Sequence, residues 1–124
     1  MRIFKYKTFI KWVKEDGITD QTLVEAVKEM ELGLFDVSLG GGLYKKRISR
    51  RGQGKRGGYR VPLTFKHDKH VFFLYGFAKN QQENIDERER IAFIEVAKYL
   101  FSLDEREIMN SIKINELVEV NYGN

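Results

Sequence analysis

Apolar positions change period several times along the chain, and each change predicts an element. Arg2 to Tyr6 is short and aromatic, which predicts an opening strand with Lys5 outward. From Lys7 to Glu15 the period is helical: Phe9, Trp12 and Val13, with Ile10 beside them, form one apolar stripe, and Gly17 is a natural stop. Thr19 is placed to cap a second helix, with Asp20 favourable in its first turn. Leu23, Ala26, Val27 and Met30 then repeat at helical spacing, and Gly33 ends the run. The two segments predict a helical hairpin whose stripes are core.

After Leu34–Leu39 and the glycines Gly40–Gly42 the period becomes two. Leu43 to Ser49 predicts a strand with Lys45 and Arg47 on one face, and Lys46 on the other beside Tyr44 and Ile48. A loop is expected from Arg50 to Gly58. Tyr59, Val61, Leu63 and Phe65 then alternate with Arg60, Pro62, Thr64 and Lys66, predicting a half-buried strand with Arg60 on its wetter face. Pro62 lacks the ladder donor and predicts an edge position or a bulge.

His67-Asp68-Lys69 reads as a turn. Val71 to Ala78 is apolar on both faces and predicts a central strand, hairpinned to the one before. Asp86 and Glu89 form a capping box for a long helix to about Leu103, with Ile91, Ile94, Ala97, Leu100 and Phe101 inward. Ser102 and Glu105 repeat the box for a short helix carrying Ile108, Met109 and Ile112, and Leu117 to Val120 reads as extended. The order β-α-α-β-β-β-α plus a tail predicts an α+β domain with one twisted, mainly antiparallel sheet.

Composition narrows the class. At 124 residues one domain is expected, with a core of about 1–103 and a C-terminal extension over 104–124. There is no cysteine, hence no disulfide, no thiolate nucleophile and no cysteine-held zinc. No apolar run approaches the ~18 residues of a membrane span. MRIFKYKTFIKW scatters charge through its apolar residues, unlike a signal peptide, so a cytoplasmic protein is expected.

Charge changes the picture most. Tyr44 to Arg60 carries Lys45, Lys46, Arg47, Arg50, Arg51, Lys55, Arg56 and Arg60, and there is no acid from Val37 through His67. Without these eight cations the +4 of the whole chain becomes −4 for the rest. Cations gathered on one patch are the footprint of nucleic-acid binding, and the interspersed glycines let backbone approach phosphate.

Familiar catalytic sets are missing. Gly52-x-Gly54-Lys55-Arg56 lacks the spacing and the Ser/Thr of a phosphate-binding loop, and there is no HExxH. His67 and His70 lie at the predicted turn, on the far side of the hairpin from the basic loop. The remaining cations make one metal-free reaction chemically possible. RNA can be cut by its own 2′-hydroxyl if the protein aligns it with the phosphorus and leaving oxygen and stabilises the phosphoryl charge, a task that fits arginine.

The run Gly42-Leu43-x-Lys45-x-Arg47, then Gly54-Lys55-Arg56-Gly57-Gly58-Tyr59-Arg60, then Tyr75-Gly76-Phe77-Ala78-Lys79-Asn80 with Asp86 opening the last helix, resembles RelE/ParE-superfamily toxins of bacterial type II toxin–antitoxin pairs, in particular their HigB-like branch. The resemblance implies a ribosome-dependent mRNA endonuclease (an mRNA interferase) that inhibits translation without a cofactor. A small antitoxin, expected to carry a helix-turn-helix, would silence it and make any contact with operator DNA. It also implies a helical hairpin on one side of the sheet and a basic concave face on the other.

The family's phosphate-stabilising arginine falls on Arg60 and its lysine after the last strand on Lys79. Lys55 and Arg56 take the place of the preceding lysines, with Lys45, Lys46, Arg47, Arg50 and Arg51 as RNA contacts. Asn84-Ile85 stand where relatives have a tyrosine, which leaves Tyr59 and Tyr75 for base stacking. A non-catalytic nucleic-acid-binding module and a ParE-like topoisomerase inhibitor are the alternative readings, since the same cations and the same fold serve those ends too.

Overall fold

Strand β1 (Ile3–Tyr6) runs directly into helix α1 (Lys7–Asp16) in a computed structural model of the chain, which describes residues 2–50, 54–66, 68–78 and 84–121, with backbone alone at 15–16, 50 and 54–57. Helix α1 stops at Gly17, whose φ of 66° turns its N–H back onto the Val13 carbonyl at 3.1 Å. Thr19 caps α2 (Asp20–Glu31), its hydroxyl oxygen accepting the Thr22 N–H at 3.3 Å.

The sheet comprises β1, β2 (Val37–Gly40), β3 (Leu43–Arg50), β4 (Gly54–Thr64), β5 (Val71–Phe73), β6 (Phe77–Ala78) and β7 (Leu117–Glu119). Its order is β2-β3-β4-β5-β1-β7, with β6 also paired to β4. Among the described ladders only β1–β5 is parallel. The α1–α2 hairpin covers one face over Ile3, Phe9, Leu23, Val27, Val61, Leu63 and Phe73. Helices α3 (Glu87–Phe101) and α4 (Glu105–Lys113) cover part of the other, over Phe4, Leu43, Phe72, Leu74 and Leu117. The α+β architecture is the expected one. No helix among the described residues is long and apolar enough to cross a membrane.

Several local expectations are corrected. Val37–Gly40 is a strand, although Val37 and Ser38 are exposed and give no buried alternation. The expected loop Arg50–Gly58 is largely strand: β3 extends through Arg50 and β4 starts at Gly54, with the register shifting between Ile48 and Arg50. Residues 51–53 lie outside the described residues.

The single strand expected over Val71–Ala78 is broken at Leu74–Gly76. Gly76 passes beneath Trp12 so closely that a Cβ would meet ring atoms at 2.2–2.4 Å, and the Thr8 hydroxyl donates to the Leu74 carbonyl. This break explains Pro62, which sits on an internal strand and not an edge. Its carbonyl takes the Leu74 N–H at 3.0 Å, so its missing donor points at the interruption, where no ladder partner waits.

Helix α3 keeps the Asp86–Glu89 capping box, with the Asp86 carboxylate accepting the Glu89 N–H at 2.8 Å. It turns Phe93, Val96, Ala97 and Leu100 inward. Ile91, two residues before Phe93, points elsewhere and is 52% exposed. The second box is Asp104–Glu107, not Ser102–Glu105. Ser102 is in the αR conformation as the C-cap of α3, whereas an N-cap needs the extended backbone that Asp104 has. Of the apolar residues α4 carries, Ile108 is buried and Met109 is 50% exposed. Strand β7 pairs with β1, and the Arg2 guanidinium grips Glu119 at 2.8 and 2.9 Å and also Glu105 of α4.

Candidate functional site

Alternation along β3 divides its cations between the two faces of the sheet. Lys46 lies with Tyr44 and Ile48 on the hairpin side, where it is 4% exposed and its Nζ sits 2.6 Å from Glu29 Oε1 of α2. Expected as an RNA contact, it is instead an internal ion pair. Lys45 and Arg47 take the opposite face. There the register sets Lys45 against Pro62 and Arg47 against Arg60, and Arg60 in turn against Phe77 of β6.

Arg60 is on the face its alternation predicts, but that face is not wet. The residue is 4% exposed, held on a strand flanked on both sides. Its Nη1 is buried and has no hydrogen-bond partner among the described residues. A guanidinium is always charged and has five N–H donors, and a buried donor left unpaired costs about 1–3 kcal/mol. Two guanidinium groups on directly opposed residues also repel.

The counter-charge comes from Asp36, just before β2. Its N–H donates to the Lys45 carbonyl at 3.0 Å, which ties it to β3. Its carboxylate accepts from Nε of Arg47 at 3.2 Å and lies 3.9 Å from Nε of Arg60. On the other flank, Lys45 donates from Nζ to Asn84 Oδ1 at 3.0 Å, and the same oxygen takes the Ile85 N–H at 2.9 Å. One concentration of fixed charge thus joins β3, β4, the approach to β2 and the segment that opens α3.

Over residues 1–120 the chain matches the family model described as the RelE toxin of the RelE / RelB toxin-antitoxin system. It belongs to the RelE toxin family. The match runs from β1 to β7 and contains the whole cationic face. A RelE-family toxin implies a cognate antitoxin as its partner.

The other expected site residues of this RelE-family toxin are distributed unevenly. Tyr59 is buried on the hairpin side, edge-on to Trp12 at 5.0 Å, so its ring does not face the Arg47–Arg60 side. Tyr75 is half-buried and stacked on Phe93 of α3 at 6.0 Å. His70 lies beside β1, its Nδ1 accepting the Arg2 N–H at 3.2 Å. Burial, and then the charge of Arg2, hold its pKa below the usual histidine value. The backbone of Arg50, Lys55 and Arg56 belongs to β3 and β4, but their side chains lie outside the described residues, as do Arg51, His67 and Lys79 altogether.

Of the polar residues of this face, Asp36 went unread in the sequence, and Asn84 was noted only as standing where relatives have a tyrosine. Asp36 had one available signal: it is the last acid before the acid-free stretch Val37–His67.

Proposed function

We propose that this RelE-family toxin is a ribosome-dependent endonuclease of mRNA that stops translation. The observation that carries the reading is the Arg60 guanidinium: fixed on β4, nine-tenths buried, and with Nη1 unpaired among the described residues. A phosphoryl oxygen is an acceptor of the right charge and geometry for that fork. Family membership supports the reading, since toxins of this family are generally endoribonucleases.

In this reaction the 2′-hydroxyl oxygen attacks the adjacent phosphorus and gives its proton to a base, while the bond to the 5′-oxygen breaks and that oxygen is protonated. The products are a 2′,3′-cyclic phosphate and a 5′-hydroxyl. Arg60 stabilises the charge gathering on the phosphoryl oxygens. Arg47 and Lys45 hold neighbouring phosphates, and Lys55, Arg56 and Lys79 supply the remaining cations.

The test is single-turnover cleavage on saturating programmed ribosomes, after a melting curve for each variant. Because Arg60 is buried, Arg60→Lys accompanies Arg60→Ala as the variant that keeps charge and most of the volume. Both are expected to cleave about 10²–10³-fold more slowly, since one ammonium does not reproduce the fork. Wild-type cleavage by folded Arg60→Lys and Arg60→Ala would overturn the assignment of Arg60. Intact mRNA with the wild-type toxin, or 3′-hydroxyl products, would overturn the reaction itself.

A further inference from the structure

Asp36 is an acid inside a face that otherwise gathers cations. Two arginines stand directly opposite each other on β3 and β4, and the carboxylate meets both from the Nε side: 3.2 Å from Arg47 Nε, and 3.9 Å from Arg60 Nε. Its side chain is 18% exposed, and its backbone is pinned to Lys45 at 3.0 Å. Arg47, hydrogen-bonded at Nε, has its long side chain fixed while its terminal nitrogens stay directed elsewhere; Arg60 meets the same carboxylate only as a charge at 3.9 Å, and its Nη1 is unpaired among the described residues. The carboxylate also offsets the repulsion that would otherwise drive the two forks apart.

We propose that Asp36 is a positioning residue for phosphate recognition: it holds Arg47 by a hydrogen bond at Nε and draws Arg60 toward it by charge, so that their terminal nitrogens meet the phosphate together. This rests on the ribonuclease reading above. Asp36 does not touch the substrate. It acts through the arginines, as supporting hydrogen bonds do for any preorganised site. Its negative charge weakens the binding of an anion nearby, and what it supplies is order in the catalytic fork. Removing the charge should therefore move binding and rate in opposite directions.

The variants are Asp36→Asn and Asp36→Glu, each checked by its melting curve. Cleavage is measured in single turnover on programmed ribosomes. Binding is measured to ribosomes carrying an mRNA that is 2′-O-methylated at the cleavage point and is not cut. Order of the arginines is read from the Nε–H NMR signals of the free toxin, which needs no RNA. Asp36→Asn is expected to bind about as tightly as wild type or a few-fold tighter, to cleave roughly 10–100-fold more slowly, and to lose order at Arg47 Nε. Asp36→Glu should recover part of the rate.

Unchanged or faster cleavage by Asp36→Asn overturns the proposal, and with tighter binding it makes Asp36 a mere electrostatic brake. A parallel loss of binding, rate and melting temperature also overturns it, in favour of a structural role. The two readings fail separately. If Arg60→Lys and Arg60→Ala are slow but Asp36→Asn is normal, only this inference falls. If wild type cuts nothing, the ribonuclease reading falls, and unchanged Nε order in Asp36→Asn then overturns this one too.

Discussion

Lys46 and Arg60 show how much a single buried cation depends on its setting. Each sits on the face its alternation predicts, and each is 4% exposed. Lys46 has its charge answered at 2.6 Å by Glu29, whereas Arg60 has a carboxylate only at 3.9 Å and a free Nη1 among the described residues. The first is an internal brace between β3 and α2, and the second is the donor that the proposed reaction assigns to phosphate. Lys46→Ala should therefore destabilise by about 1–3 kcal/mol, less than a fully buried pair because Glu29 can regain water. The variant that remains folded should cleave at the wild-type rate. A urea titration with single-turnover kinetics checks this, and a large rate loss at full stability would return Lys46 to the proposed RNA contacts.

Among the elements, the broken strand β5–β6 does most to shape the site. It places Phe77 beside Arg60 and gives Pro62 a position where no donor is required. The break depends on the fit of Gly76 under Trp12, which a Cβ would violate at 2.2 Å. Gly76→Ala is expected to cost about 1–3 kcal/mol, the scale of overpacking in a filled core. Trp12 is the sole tryptophan, so its emission reports any displacement directly. A variant within experimental error of wild type in stability and emission would mean that the ring moves aside freely. The caps of α2 and α3 were legible, because Thr19 and Asp86 bond to backbone only three residues away, whereas the cap of α4 lies two residues beyond its expected place. Strand β2 was not legible: its residues are mostly exposed, and its place depends on pairing with β3.

At the scale of the whole molecule, the first and last strands are joined through Arg2. Its guanidinium engages Glu119 of β7 and Glu105 of α4, while its N–H binds His70 beside β5. The hydrogen bond to Arg2 and the charge of Arg2 hold the Glu119 pKa below its ordinary value, and burial followed by the Arg2 charge lowers that of His70. Below a pH of about 6.5 the unfolded chain takes up a proton at His70 that the folded one resists, so stability falls as pH falls through that window. Glu119 adds a second loss, beginning near its unfolded value of about 4.5 as pH falls. Denaturant melts at pH 7.5 and 5.5 should show wild type losing more stability than His70→Gln. Equal losses in the two proteins would remove His70 from this role.

Neighbouring residues in the chain determined the helical hairpin, its caps, the faces of β3 and β4, and the concentration of cations between Tyr44 and Arg60. Those features follow from backbone periods of 3.6 and 2 and from side chains that bond within a turn, so they need no knowledge of distant chain. Tertiary structure decided which of those faces are covered. Burial of Arg60 requires β6 on one side and β3 on the other, and the neutralisation of Lys46 requires α2. The parallel pairing of β1 with β5 and the edge strand β7 join segments far apart in sequence, and the approach of Asp36 to Arg60 joins β4 to the segment before β2. Alternation assigns a side chain to a face. Whether water, a helix or another strand meets it there depends on long-range packing.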